Sequence, residues 1–490
     1  MLAKTNIVHN HIPLIIVLIL LFLIYAPSVG RGFVLDDWIW LDHAAPWGKV
    51  NCVRFFTDTT GFYRPLISLS FALQFQVLGL NPLPYGWFNL LLHLANVWLV
   101  YLLLLSLNSF KKYAWFVAAL FGLNFKGPMM AVEWISGRTS LLYTFFLLLC
   151  FYSYLKIKKP RYKFLVGMFY FFALLSKETA IVAPIFVFLY FLARELKKTW
   201  INDFKTLIKQ AKTALAYIKP FWTALIIYLL LRINSNAFTP LNAPPYYQYS
   251  LSAKLFAVNL VEYFFRSGLL DIVIILWLLL LAWIFRKSKG PMEPIHWSVF
   301  FTGSLWFLVF LLPVILIHVR SDLYTYLPQL GVHLMAAPII VAKWNDIRAT
   351  IKTRSILWLA IAPICLFFLV YLGKMTMLSA SYFQRGIHAT SFSNQLASKI
   401  STISKKSNIF VVDLAEKNCA ALVNYIDYSY TSIMRLYYPH HQFQGEIISW
   451  SQAICIPCQK DNTRFLFWKN SQLTGPYRCG EVKQMKHNLN

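Results

Sequence analysis

The strongest constraint on this chain is a series of apolar runs, most of them closed by a short basic segment; Pro84 to Leu107 and Trp297 to Ile317 are two of them. In hydrocarbon, backbone amides must be satisfied within their own segment, so runs of roughly 17–25 apolar residues fold as spanning helices. Composition points the same way: 58% of the 490 residues are apolar and 13% are charged, against roughly a quarter charged in a soluble domain. The pattern predicts an all-α polytopic membrane protein.

A net charge of +27 invites a nucleic-acid reading, and its distribution argues against one. Lys and Arg cluster between apolar runs, which is the charge bias of cytosolic loops. Applied along the chain, that bias sets the topology. Ile12 to Tyr25 is a first span, retained as an anchor although Ala26-Pro27-Ser28 resembles a cleavage region, and Lys4 keeps the N-terminus cytosolic. Leu66 to Leu80, broken by Ser68, Ser70, Gln74 and Gln76, reads as an interfacial helix. Asn124 to Arg138 lies between runs with basic outer flanks (Lys111 and Lys112, then Lys156), so it is the outer apex of a hairpin. Phe164 to Ala193 is also flanked by basic residues on both sides, with Ser176-Lys177-Glu178-Thr179 at its centre. It therefore folds back on itself, with Lys177 and Glu178 at the outward turn. Arg194 to Lys219 has the spacing of an amphipathic helix on the anionic inner leaflet. Counting through Ser355 to Leu372 yields about eleven spans, with the N-terminus inside and the C-terminus outside.

The division expected is a transmembrane domain over residues 1–373, with a first outer loop at 30–65, and an extracytoplasmic domain over 374–490. The latter is a small α/β unit, with strands predicted at Ile409 to Val412 and Phe465 to Trp468. Of the seven cysteines, Cys150 and Cys365 fall in apolar runs and read as packing residues. Cys52 lies in the first loop, and Cys419, Cys455, Cys458 and Cys479 in the tail. Four tail cysteines outside the cytosol allow two disulfides in any of three pairings. No Asn-x-Ser/Thr sequon occurs, which favours a bacterial plasma membrane over a eukaryotic secretory one.

The outward apices carry the chemistry. Arg31 to Pro65 holds the adjacent carboxylates Asp36 and Asp37, with Trp38, Trp40 and Trp47 among them and Arg64 near its end. Other apices carry Lys126 with Arg138, Lys177 with Glu178, and Arg320 with Asp322. Ionisable groups near a membrane core cost a few kcal/mol each and lean functional. Outward carboxylates can deprotonate a hydroxyl, neighbouring cations can hold a phosphate as it departs, and tryptophan faces suit a sugar or lipid. A sugar joined to a lipid phosphate needs all three. His93 and Asn96, at helical spacing in one span, read as a buried hydrogen-bonded pair, and His318 as an interfacial histidine.

An ordered set of motifs also resembles the GT-C membrane glycosyltransferases, in particular the protein O-mannosyltransferase-like branch that carries tetratricopeptide repeats in animals. The matching pieces are Asp36-Asp37, Tyr63-Arg64-Pro65-Leu66, Asn81-Pro82, Asn89 to His93 with Asn96, Trp134 to Thr139, Ser176 to Ala180, Tyr326-Leu327-Pro328 and Leu330-Gly331. The resemblance implies an inverting transferase using a polyprenyl-phosphate-linked sugar on the outer face. An Asp of the 36/37 pair would be its catalytic base, and Arg64, Arg138 and Lys177 its phosphate or structural contacts, to which the apex pattern adds Glu178 and Arg320 as substrate or phosphate contacts. Two departures stand out. Where the family often has His-Pro-x-His-x-Glu, this chain has Phe125, Lys126, Pro128 and Met130, and Glu133 is out of place. The tetratricopeptide repeats are absent, and a cysteine-containing tail follows instead.

The reading that follows is a membrane glycosyltransferase acting on a hydroxyl acceptor in a protein, lipid or glycan. The donor is a polyprenyl-phosphate sugar, membrane lipid is a partner and nucleic acid is not. A divalent metal is compatible with the Asp pair, but one carboxylate pair makes no dedicated cage. A transporter or lipid flippase would show charges through the membrane depth and related half-repeats; a catalytically silent scaffold would leave the binding to the tail.

Overall fold

The computed structural model describes residues 2–45, 54–57, 61–157, 159, 163–198, 204–235, 237–238, 242–284, 294–350, 354–404, 407–414, 426, 429–439, 443–453, 462–469 and 471–488. Trp47, Cys52, Cys419, Cys455, Cys458 and the side chain of Lys4 lie outside these residues. Cys479 is disulfide-bonded, whereas Cys150 and Cys365 are free.

The chain opens with α1 (Leu2–Tyr25) and reaches α2 (Asp36–Ala44) through an extended segment. A short α3 (Arg54–Thr57) precedes α4 (Pro65–Leu78) and α5 (Pro82–Leu105). The start of α5 is written in its sequence: the Asn81 side chain accepts from the Leu83 N–H at 3.2 Å, and Pro82 follows where a missing N–H costs nothing. Next come α6 (Ala114–Leu123), α7 (Gly127–Glu133), α8 (Arg138–Lys156), α9 (Phe164–Ser176), α10 (Ala183–Lys198), α11 (Phe204–Tyr217) and α12 (Lys219–Ile233). The membrane part closes with α13 (Ala253–Ile284), α14 (Trp297–Ile315), α15 (Gln329–Thr350) and α16 (Arg354–Ile400).

By length and composition, seven described helices can cross a membrane, or nine if two bent pairs each make one span. That is fewer than the roughly eleven expected from apolar runs alone. The shortfall has a local cause. Phe164–Ser176 is a short apolar helix, because the chain breaks at Lys177 and turns through a 3-10 segment, Glu178–Val182, into α10. Gln329–Thr350 carries His333, Lys343, Asp346 and Arg348 within its length. The apex expected at Asn124 to Arg138 holds α7, bent 59° from the helical segment before it. α14 and α15 cross closely at Gly303 and Gly331, where an added Cβ on either would come within 2.5 Å of the other's backbone carbonyl. Such small-residue contact is how helices associate where the hydrophobic effect is weak.

α16 runs unbroken to Ile400 and leads into a four-stranded mixed sheet of order β2-β1-β3-β4. Its strands are β1 (Asn408–Asp413), β2 (Ile447–Ser449), β3 (Thr463–Lys469) and β4 (Gln472–Arg478), with α17 (Tyr430–Tyr437) and α18 (Trp450–Ala453) between them and α19 (Cys479–Asn488) last. β1 pairs parallel with β2 and β3, which requires a crossover, and β3–β4 is antiparallel. Phe392 of α16 meets Trp468 of β3 edge-on at 5.3 Å. α17 packs on α2, with Arg435 Nη2 2.5 Å from Asp42 Oδ2. The tail therefore rests on the helix that begins with the Asp pair.

Candidate active site

The extended segment before α2 runs tight against α16. Gly32 has φ +110°, and an added Cβ there would lie 2.6 Å from the Gly386 carbonyl oxygen; one on Gly386 would lie 1.9 Å from the Arg31 oxygen. Leu35, at φ 49°, then turns the chain into α2. Successive residues on a helix point about 100° apart, so Asp36 and Asp37 face different surroundings. Asp37 is 0% exposed. Its Oδ2 accepts from the Val34 N–H at 2.9 Å, and its Oδ1 from the Ser136 N–H at 2.7 Å and from the Ser136 hydroxyl. Burial pushes its pKa up to about 6 against the opposing pull of these bonds and of Arg31. Asp36 is half-buried. Tyr247, raised chiefly by burial, also feels the Arg64 cation and the Asp36 carboxylate.

The hairpin apices converge at Arg64. Arg64 donates from Nε to Glu178 Oε2 at 2.9 Å and from Nη2 to Oε1 at 2.7 Å, a two-pronged pair between residues 114 apart in sequence. Its guanidinium also lies 4.3 Å from the Phe62 ring centroid. Lys177 Nζ donates to Ser140 Oγ at 2.8 Å and sits near the Tyr143 and Tyr324 rings. Burial lowers the Lys177 pKa to about 7, with the Arg64 charge adding to the push and Glu178 opposing it.

A third group extends the polar surface. Arg320 bonds Asn259 Oδ1 at 2.7 Å and Glu262 Oε2 at 2.9 Å. Glu262 also pairs with Arg266, which reaches Asp322 at 2.7 Å, and Lys126 lies 3.5 Å from the same carboxylate. Arg138 stands apart from all of these. It is 0% exposed, its guanidinium 4.4 Å from the Phe71 and 4.7 Å from the Phe88 ring centroids, with bonds to Asn89 Oδ1 and Ser70 Oγ. His93 and Asn96 are buried and both bond the Tyr326 hydroxyl, at 2.7 and 3.2 Å. His318 is exposed.

Arg31, Ser136, Tyr247, Tyr324 and the Glu262–Arg266 pair are not marked as site residues by the sequence. Arg31 has a local signal in its place between Gly30 and Gly32 just beyond the first apolar run, and Ser136 lies within the Trp134 to Thr139 segment. Tyr247, Tyr324 and the Glu262–Arg266 pair become polar neighbours through helix packing. Among the described residues no group of three or more His, Cys, Asp and Glu is poised to hold a metal ion.

No family model matches the chain. Protein O-mannosyl-transferase Tmtc1 of Drosophila melanogaster is 31% identical over 179 residues, 34% of this chain and 21% of that protein. The chain thus spans 21% of the length of that curated relative. The crystal structure of ArnT from Cupriavidus metallidurans bound to undecaprenyl phosphate superposes over 92% of each chain, with a TM-score of 0.48 and 11% identity.

Proposed function

We propose that this chain is a GT-C membrane glycosyltransferase that moves a sugar from a polyprenyl-phosphate donor to an acceptor hydroxyl at the outer face. The observation that carries the reading is the division of labour within the Asp pair. Asp37 is enclosed, with both carboxylate oxygens occupied by donors, and holds the loop against Ser136. Asp36 is half-buried, and its carboxylate and the Arg64 cation both act electrostatically on Tyr247. In this reading Asp36 is the general base that takes the acceptor proton as the oxygen attacks the anomeric carbon in line. Lys177 stabilises the departing lipid phosphate, and Glu178 keeps Arg64 oriented toward it. Arg138, boxed by aromatic rings, serves as scaffold, and Arg320 braces the third group. The ordered motif set and the 31% identity to an O-mannosyl-transferase support the reaction class.

The test is transfer from a polyprenyl-phosphate sugar by purified protein in lipid nanodiscs. Asp36→Asn is expected to lose about 10²–10⁴-fold in rate, the range of a general base, with unfolding temperature unchanged. Wild-type turnover by Asp36→Asn would overturn the base assignment.

A further inference from the structure

Helix α2 carries the Asp pair in its first turn and Asp42 near its end. Both ends are held, and by one connected body. At the leading end the Arg31–Gly32 backbone passes so close to Gly386 of α16 that neither glycine has room for a Cβ. At the trailing end Arg435, in the last turn of α17, reaches Asp42, with Nη2 2.5 Å from Oδ2. α16 and α17 are fastened to one another through the sheet. Gln395 of α16 accepts from the Leu473 N–H of β4 at 2.8 Å and donates to the Ser471 carbonyl in the β3–β4 turn at 3.0 Å. The Tyr438 hydroxyl, just past α17, donates to the Ala397 carbonyl of α16 at 2.6 Å. Phe392 of α16 meets both Tyr430 at the start of α17 and Trp468 of β3, at ring distances of 6.4 and 5.3 Å.

The Asp42–Arg435 contact is not an ordinary surface pair. The Arg435 side chain is 57% exposed, but that of Asp42 only 8%. An exposed ion pair adds little because water competes for both charges, whereas a carboxylate that water barely reaches depends on the cation beside it. Position adds to that dependence, since the end of a helix is the negative end of its dipole and disfavours a carboxylate. Apolar packing accompanies the pair: Ile433, Met434 and Leu436 of α17 are buried in the same core as Leu41 and Ala44 of α2. The nine residues of α2 make a rod of about 13 Å, which moves as one piece. Its bonds from Asp37 to Ser136 pin one point, about which the rod can still pivot. A second hold at Asp42 removes that freedom.

We propose that the C-terminal sheet and α17 form the second jaw of a clamp on α2, with Arg435 as a positioning residue that fixes, through Asp42, the direction in which Asp36 is presented. This rests on the glycosyltransferase reading above. α16 is the spine of the clamp, because it touches α2's leading segment directly and carries the sheet that brings α17 to the other end.

The test follows two readouts on the full chain in lipid nanodiscs: sugar transfer from a polyprenyl-phosphate sugar, and amide hydrogen exchange over residues 31–45. A displacement of about 1 Å at a reacting group can cost about 100-fold in rate. Arg435→Gln is therefore expected to lower kcat at least about tenfold, with the donor KM within about twofold of wild type. Exchange across α2 should quicken about tenfold in the same variant, as a local opening would. Arg435→Lys, which keeps the charge, should restore most of both. Wild-type kcat in Arg435→Gln would overturn the proposal. So would a change confined to KM, a kcat loss with unaltered exchange, or a loss that Arg435→Lys shares in full. If the wild type transfers no sugar, the glycosyltransferase reading itself fails and the positioning role with it; faster exchange in Arg435→Gln would then mark the clamp as structural.

Discussion

Glu178→Gln is the change whose consequences can be worked furthest. It removes one charge from a pair with contacts of 2.9 and 2.7 Å, whose side chains are 12% exposed for Arg64 and 30% for Glu178. Breaking a fully buried pair on one side costs roughly 3–5 kcal/mol because the other charge is left without a counter-ion. An exposed pair returns under about 1 kcal/mol. The partial exposure of Glu178 admits water to Arg64, and glutamine keeps one acceptor, so the loss should be about 2 kcal/mol. A double-mutant cycle with Arg64→Met, followed by tryptophan fluorescence during denaturant unfolding in mild detergent, isolates that coupling. Single effects that add to within about 0.5 kcal/mol would refute the pair. The same change has a second consequence. Glu178 opposes the downward push on Lys177, so without it the lysine loses its proton at still lower pH. If protonated Lys177 is needed for transfer, activity falls as pH rises through about 7, and in Glu178→Gln this fall begins at lower pH. A fall displaced to higher pH would show that another group sets it.

Lys177→Arg, whose guanidinium stays charged, should abolish the alkaline fall even where the maximal rate drops, as a pH–rate profile would record. The folded lysine titrates near 7 against an ordinary 10.5. The unfolded chain therefore holds more protons between those values, and this group makes stability rise with pH across that window; in Lys177→Met the increment should vanish from unfolding measured at pH 7 and 10. Asp37→Asn turns an amide donor toward the Val34 or Ser136 donors and should cost about 1–3 kcal/mol, seen as earlier thermal unfolding. Gly386→Ala places a methyl 1.9 Å from the Arg31 oxygen, so it should loosen the first loop from α16 and speed proteolysis there, whereas Gly373→Ala, with open space around it, should not.

Much of this molecule was legible along the chain because its signals are local. An apolar run too long and too poor in charge for water forms a helix in lipid wherever it lies. The turn at Lys177 and Glu178, the strands around Ile409 and Phe465 and the buried His93–Asn96 pair all follow from patterns a few residues long. The span count was less secure, since whether a short run such as Phe164–Ser176 crosses alone depends on what it packs against.

The site was legible only in outline. Sequence singles out Asp36-Asp37 as a pair, but one residue along a helix decides which carboxylate is enclosed by Ser136 and which stays half-buried. It marks Arg64, Arg138 and Lys177 alike as outer cations. Tertiary packing separates them: Arg64 meets Glu178 across the assembly, Lys177 meets Ser140, and Arg138 is sealed among Phe71, Tyr85 and Phe88. The physical reason is range. Hydrophobic transfer acts on each segment by itself, whereas a carboxylate's partners and its exposure to water are set by helices that meet only in the folded protein.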